Sequence, residues 1–128
     1  MPASRNYILD KGMAATGALT KFRAVKLSTV AVQTVAPIAA AADNPFGITQ
    51  EGLTTAEQAR NFGVPVALFG TGAISEWEAG TTCAIGDQLV LDSVGRCVPV
   101  GTAAAGTKVV AVAMTAATVG LRLTAQFT

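Results

Sequence analysis

From Ala79 to Phe127 the chain reads AGTTCAIGDQLVLDSVGRCVPVGTAAAGTKVVAVAMTAATVGLRLTAQF. Short apolar runs alternate with turns made of Gly, Asp, Ser and other small residues. Gly86-Asp87 precedes one run, and Asp92-Ser93-Val94-Gly95 separates it from the next. An Asp opening a tight turn bonds its own backbone, and a Gly closing it supplies positive φ. Turn signals about every 8–12 residues are the pattern of an all-β sandwich or barrel. The chain is therefore expected to be all-β, a small barrel or sandwich.

The first half carries the same signals. Phe22–Leu27 and Leu27–Thr34 are rich in alternating or β-branched residues, Phe46–Thr49 is a short strand, and Val64–Phe69 is an apolar run. Ala73–Trp77, Gln88–Leu91, Arg96–Val100, Lys108–Met114 and Leu121–Phe127 are the expected later strands. Thr54–Phe62 reads as the single helix. Thr54 stands at its N-cap, Glu57 sits at capping-box spacing, and Gly63 and Pro65 close it. AVKLSTVAVQTVA and LVLDSVGRCVPVG share the order strand, small polar turn, strand. Each is followed by an Ala-rich loop, a short strand and a closing strand. That is a weak internal repeat, with the helix as an insertion in its first copy. Residues 1–20 show no sustained period and read as an extended N-terminal arm on a barrel domain spanning 21–128. Removing 1–20 is then expected to leave a folded barrel.

Little in this sequence can do chemistry. There is no His, and a metal site would lack ligands beyond Cys83 and Cys97. Those cysteines read as small buried apolar groups or as a disulfide. No base is spaced to activate a Ser or Cys nucleophile. Glu76 and Glu78 fall on one face of a strand with Trp77 opposite, and two such acids read as solvated. Asp87 and Asp92 are too few for calcium and have turn roles. The expectation is a non-enzyme without cofactor or metal. Charged residues make up only 13% of the chain and the net charge is +1. That balance argues against nucleic acid as a partner, and no apolar run reaches the length of a membrane span. A surface so poor in charge favours burial against other chains. The candidates for such contact are Arg5, Tyr7, Ile8, Leu9 and Lys11 in the basic arm, and Trp77. Tyr7–Leu9 can equally pack on its own domain, and Trp77 can equally cap the barrel end.

The phrase AGTTCAIGDQLVLDSVGRCVPV followed by AAAGTKVVAVAMTAATVGLRLTAQF resembles the capsid decoration (cement) proteins of tailed double-stranded DNA phages. Gly86-Asp87, Asp92–Gly95 and Gly120–Leu123 match the family's turn positions, and FRAVKLSTVAV, PFGITQEG and VPVALFG are similar in the first half. In Val109–Ala113 this chain has Ala where the family often carries Gly. The resemblance spans about Phe22 to Phe127. It implies a β-barrel or β-tulip module with one short helix insertion. It also implies a homotrimer on the outer capsid surface of the virion, made in the host cytoplasm, that bridges major capsid proteins. The alternative from the same pattern is a fibre, tail or surface-adhesion module.

Overall fold

The computed structural model describes residues 10–29, 33–60, 63–102, 105–106 and 108–128. Ten strands and one helix follow one another along the described chain. β1 (Asp10–Ala15), β2 (Ala24–Leu27), β3 (Thr34–Pro37), β4 (Gly47–Thr49), α1 (Thr55–Ala59) and β5 (Val64–Leu68) make the first half. β6 (Ile74–Glu78), β7 (Gln88–Leu91), β8 (Cys97–Pro99), β9 (Ala111–Ala113) and β10 (Arg122–Phe127) make the second. The protein is all-β, as its turn spacing requires.

The first five strands form a closed barrel in the order β1-β3-β2-β4-β5. β1 closes it, antiparallel to β5 on one side and parallel to β3 on the other. The second half is a five-stranded sheet in the order β6-β10-β9-β7-β8. Its two edges meet through a single parallel bridge, Ala79 to Cys97.

The two halves are copies of one plan. Ala24 pairs with Ile48, and Gln88 with Val112, each residue lying half the 128-residue chain after its counterpart. Leu19 bridges Leu53 as Cys83 bridges Ala117. The β2–β3 register, Val25 with Pro37, recurs between β7 and β8 as Leu89 with Pro99. The interiors correspond as well. Met13, Ala15, Leu19, Val25, Val35, Val64 and Val66 fill the first barrel. Their counterparts Trp77, Ala79, Cys83, Leu89, Cys97, Leu123 and Ala125 belong to the core of the second half. The repeat seen faintly in the sequence is thus a repeat of register and of core. The β4–β5 connection is longer than its β9–β10 counterpart by the length of α1, 5 residues. Thr54 caps α1 in a full capping box with Glu57. Hydrogen bonds from Thr54 hold the Glu57 carboxyl below the usual carboxylate range.

Three expectations need correction. Residues 10–20 are not an arm, because β1 is a stave of the first barrel and Leu19 bridges Leu53. DKGMAA has little strand propensity of its own; pairing on both sides makes it a strand. The strand expected over Leu27–Thr34 is instead the end of β2 and the start of β3. The turn between them includes Gln33 at φ 51°. Finally, Lys108–Val110 is not part of β9. The helix reaches only Ala59, and the expected end at Asn61–Phe62 lies outside the described residues.

The halves are locked together at the tip of the β7–β8 hairpin. The Gly95 carbonyl accepts hydrogen bonds from the Ala24 amide (2.8 Å) and from the Trp77 indole Nε1 (2.9 Å). The Glu78 amide donates to the Phe22 carbonyl (3.0 Å). The Arg23 guanidinium reaches both oxygens of Glu78. Gln50 Nε2 donates to Ser75 Oγ at 2.9 Å. Phe69 stacks at a tilt on Trp77 and Phe127, with centroids 5.4 and 4.7 Å away.

Candidate interaction surface

The acidic side chains are largely committed to holding the backbone. Asp92 Oδ1 accepts from the amides of Val94 (3.0 Å) and Arg96 (2.8 Å), while its Oδ2 meets Arg96 Nε (2.8 Å). Asp87 Oδ2 accepts from the Ala84 amide at 2.8 Å. Asp43 Oδ2 accepts from the amides of Ala39 and Ala40 and from Lys26 Nζ. The Ala39 amide, then Lys26 and the Ala40 amide, hold the Asp43 carboxyl below its ordinary value. This knot forms one wall of an open cleft of about 490 Å³ whose apolar side is Leu27, Pro45 and Phe46. Among the described residues no three His, Cys, Asp or Glu side chains are grouped to hold a metal ion.

Glu76 and Glu78 do lie on one face of β6 with Trp77 on the other, as the strand period dictates. Each has a cation of its own: Glu78 pairs with Arg23 at 3.2 Å and Glu76 with Arg122 at 3.6 Å. Trp77 is 0% exposed and is the largest side chain of the core, so it presents no surface to a partner. Its indole hydrogen is spent on Gly95. Among the other sequence candidates, Arg5, Tyr7, Ile8 and Leu9 lie outside the described residues. Lys11 belongs to β1, opposite Val66 of β5. Of the two described candidates, Trp77 lies inside the core and Lys11 stands on a strand of the first barrel.

Two surface features were not singled out from the sequence. The first is a basic and aromatic seam between the halves. Lys21 Nζ lies over the Phe22 ring 4.8 Å from its centroid, and the Arg122 guanidinium carbon 4.7 Å from it. Phe22 holds a left-handed backbone, φ 59°, where its counterpart in the second half is Gly86 at φ 88°. Such a conformation costs a non-glycine residue about 1–2 kcal/mol. The hydrogen bonds of Phe22 to Thr49 and Glu78 and the two cations on its ring hold it there. The adjacency Lys21-Phe22-Arg23 was its only trace in the sequence, and it reads equally as the start of a strand.

The second is the uncovered end of the second half. Ile85 is 72% exposed and Val119 62%, with Leu121 and Met114 also exposed. They stand on two loops tied by the Cys83–Ala117 bridge and by the Gly86 amide to the Ala113 carbonyl (2.8 Å). Over 82–88 and 114–121 the only charged residue is Asp87, whose carboxylate is occupied by Ala84. The equivalent end of the first half carries Lys21, Arg23, Glu51, Glu57 and Arg60, along with α1. The repeat thus sets a charged, helix-bearing end against a bare, apolar one. An apolar exposed face without charge is the chemistry of a surface that meets another protein.

No protein-family model and no curated protein matches the sequence. Among solved structures, the head fibre gp8.5 N base of bacteriophage phi29 is similar with a TM-score of 0.69. The alignment covers 93% of this chain and 92% of that one, at 17% identity. At that identity the likeness is one of fold, and it extends over both halves of the repeat.

Proposed function

We propose that this chain is a structural protein of a tailed-phage head. In this reading it stands on the outer surface of the virion and binds the major capsid protein and copies of itself, as a homotrimer, so that the shell is held together. Its work is contact rather than catalysis. The observation that carries the reading is the fold shared, almost end to end, with the base of a phage head fibre. The sequence resemblance to cement proteins and the bare apolar end around Ile85 and Val119 support it. A subunit repeated over a closed shell needs only ~800 Å² per contact, because many such contacts must fail together.

The same neighbour favours a second reading, in which the chain is the base on which a head fibre is built. Counting copies in purified virions by quantitative mass spectrometry against the major capsid protein separates the two. A ratio near unity is the expected result for a shell-wide cement. A small fraction of that ratio supports the fibre base, and absence from the virion refutes both.

A further inference from the structure

Within the chain, the second half covers part of one end of the first. The Gly95 carbonyl receives the Ala24 amide, the Glu78 amide donates to the Phe22 carbonyl, and Ser75 Oγ accepts from Gln50. The register of the repeat carries each of these positions onto a counterpart in the other half. On the receiving side, Phe22, Ala24 and Gln50 correspond to Gly86, Gln88 and Met114. On the seated side, Gly95, Glu78 and Ser75 correspond to Gln33, Ala14 and Lys11. Where the junction is made, Ala24 and Gly95 are buried, and Phe22, Gln50 and Glu78 are partly buried. Their five counterparts, Gly86, Gln88, Gln33, Met114 and Ala14, are all exposed. Each chain thus has one junction formed and both sides of a second one open. The open receiving side belongs to the bare apolar end, where Ile85 takes the place of Lys21.

We propose that a second copy of this chain completes the open junction. Its first half seats on the bare end of the second half, in the register with which the two halves already meet. The inference rests on the self-association in the functional reading above and names the surface that serves it. Gln33 of the second copy then stands at Gln88, as Gly95 stands at Ala24. Apolar side chains replace the polar seam, because Ile85 and Met114 hold the places of Lys21 and Gln50. The Arg23–Glu78 ion pair has no equivalent, since Ala14 holds the place of Glu78. Removing Ile85 and Met114 from water drives the association. Asp87 and Lys11 hold the places of Arg23 and Ser75, and their charges are opposite in sign. The two sides of this contact are different surfaces. Copies joined by it close into a ring, of which a homotrimer is one case, or run on as a fibre.

The test uses the purified full-length protein. Sedimentation velocity over rising concentration should show species larger than the monomer. Ile85→Lys should weaken that association by roughly tenfold or more, because it sets an unpaired charge in an apolar contact. Gln33→Cys and Gln88→Cys should be joined into a dimer by a short thiol cross-linker when mixed, and much less when either is treated alone. A monomer at every concentration would overturn the inference. So would an assembly that Ile85→Lys leaves intact, or cross-linking no better in the mixture than in one variant alone. In those last two cases the protein still self-associates, so the capsid reading stands and is judged by copy number in the virion. Ile85 is 72% exposed, so its substitution should leave the fold intact by circular dichroism. If it does not, the cross-linking comparison decides.

Discussion

Gly95→Ala should be among the most damaging single-methyl additions this fold can receive. Gly95 sits at φ 88°, which costs an alanine about 1–2 kcal/mol. A Cβ built there would stand 2.6 Å from the Ala24 carbonyl oxygen and 3.3 Å from its nitrogen, both backbone atoms that cannot swing away. The hairpin tip must withdraw, and with it the carbonyl that receives the Ala24 amide and the Trp77 indole. Losing the first bond is worth about 1 kcal/mol, and leaving the buried indole hydrogen without an acceptor about 1–3 more. The total is about 3–6 kcal/mol, a large part of the stability of a domain this size. Two comparisons isolate the cause. Gly86→Ala has the same φ of 88° but nothing within 4 Å of its Cβ, so it should cost only about 1 kcal/mol. Gln33 is the counterpart of Gly95 and is itself left-handed at φ 51°. Gln33→Gly should therefore stabilise, by roughly 0.5–1 kcal/mol after glycine's greater unfolded entropy is subtracted. The assay is urea unfolding of the three variants, comparing midpoints at constant slope. If Gly95→Ala and Gly86→Ala fall within about 1 kcal/mol of each other, contact at the junction is not what ties the halves together.

Other outcomes follow from the same geometry. Deleting residues 1–9 should leave a folded protein by circular dichroism, whereas deleting 1–20 should unfold it, because the second deletion removes β1 from between β3 and β5. Trp77→Phe keeps most of the buried ring but removes the hydrogen donated to Gly95. The carbonyl keeps the Ala24 amide, so the loss should be about 1–2 kcal/mol in urea unfolding, well short of the 3–5 for a buried Trp→Ala. Asp43 is held below its ordinary value, so its contribution is full above the unfolded carboxylate range and fades as pH falls through the folded value. Asp43→Asn should lower the thermal midpoint at neutral pH and shrink the acid-induced loss. An unchanged acid profile would show that Asp43 does not hold its loop.

Much of the architecture was legible because turns announce themselves chemically. Asp92 and Gly95 bracket a hairpin whose bonds are those that an Asp-led turn makes. Thr54 and Glu57 start a helix with reciprocal caps. The repeat was visible where two hairpins of similar composition follow one another. β1 was illegible because its strand character comes from neighbours distant in sequence, and nothing in DKGMAA alternates. The interaction surface was harder still. Trp77 looks like an anchor for a partner until its position opposite Leu123 places it inside. The bare end depends on a comparison between halves: Ile85 and Val119 become noticeable only once the equivalent loops are seen with their charges and helix.

The manner in which the halves meet has one more consequence. The Gly95 tip of the second half seats on Ala24 of the first, but among the described residues Gln88, the counterpart of Ala24, does not bond the Gln33 tip in return. Two copies of one plan joined this way have a polarity that copies related by a two-fold axis would lack. At the equivalent end of the plan, the first repeat carries charge and a helix, and the second exposed apolar side chains. The two halves are therefore not interchangeable, and whatever meets one repeat finds a different surface on the other.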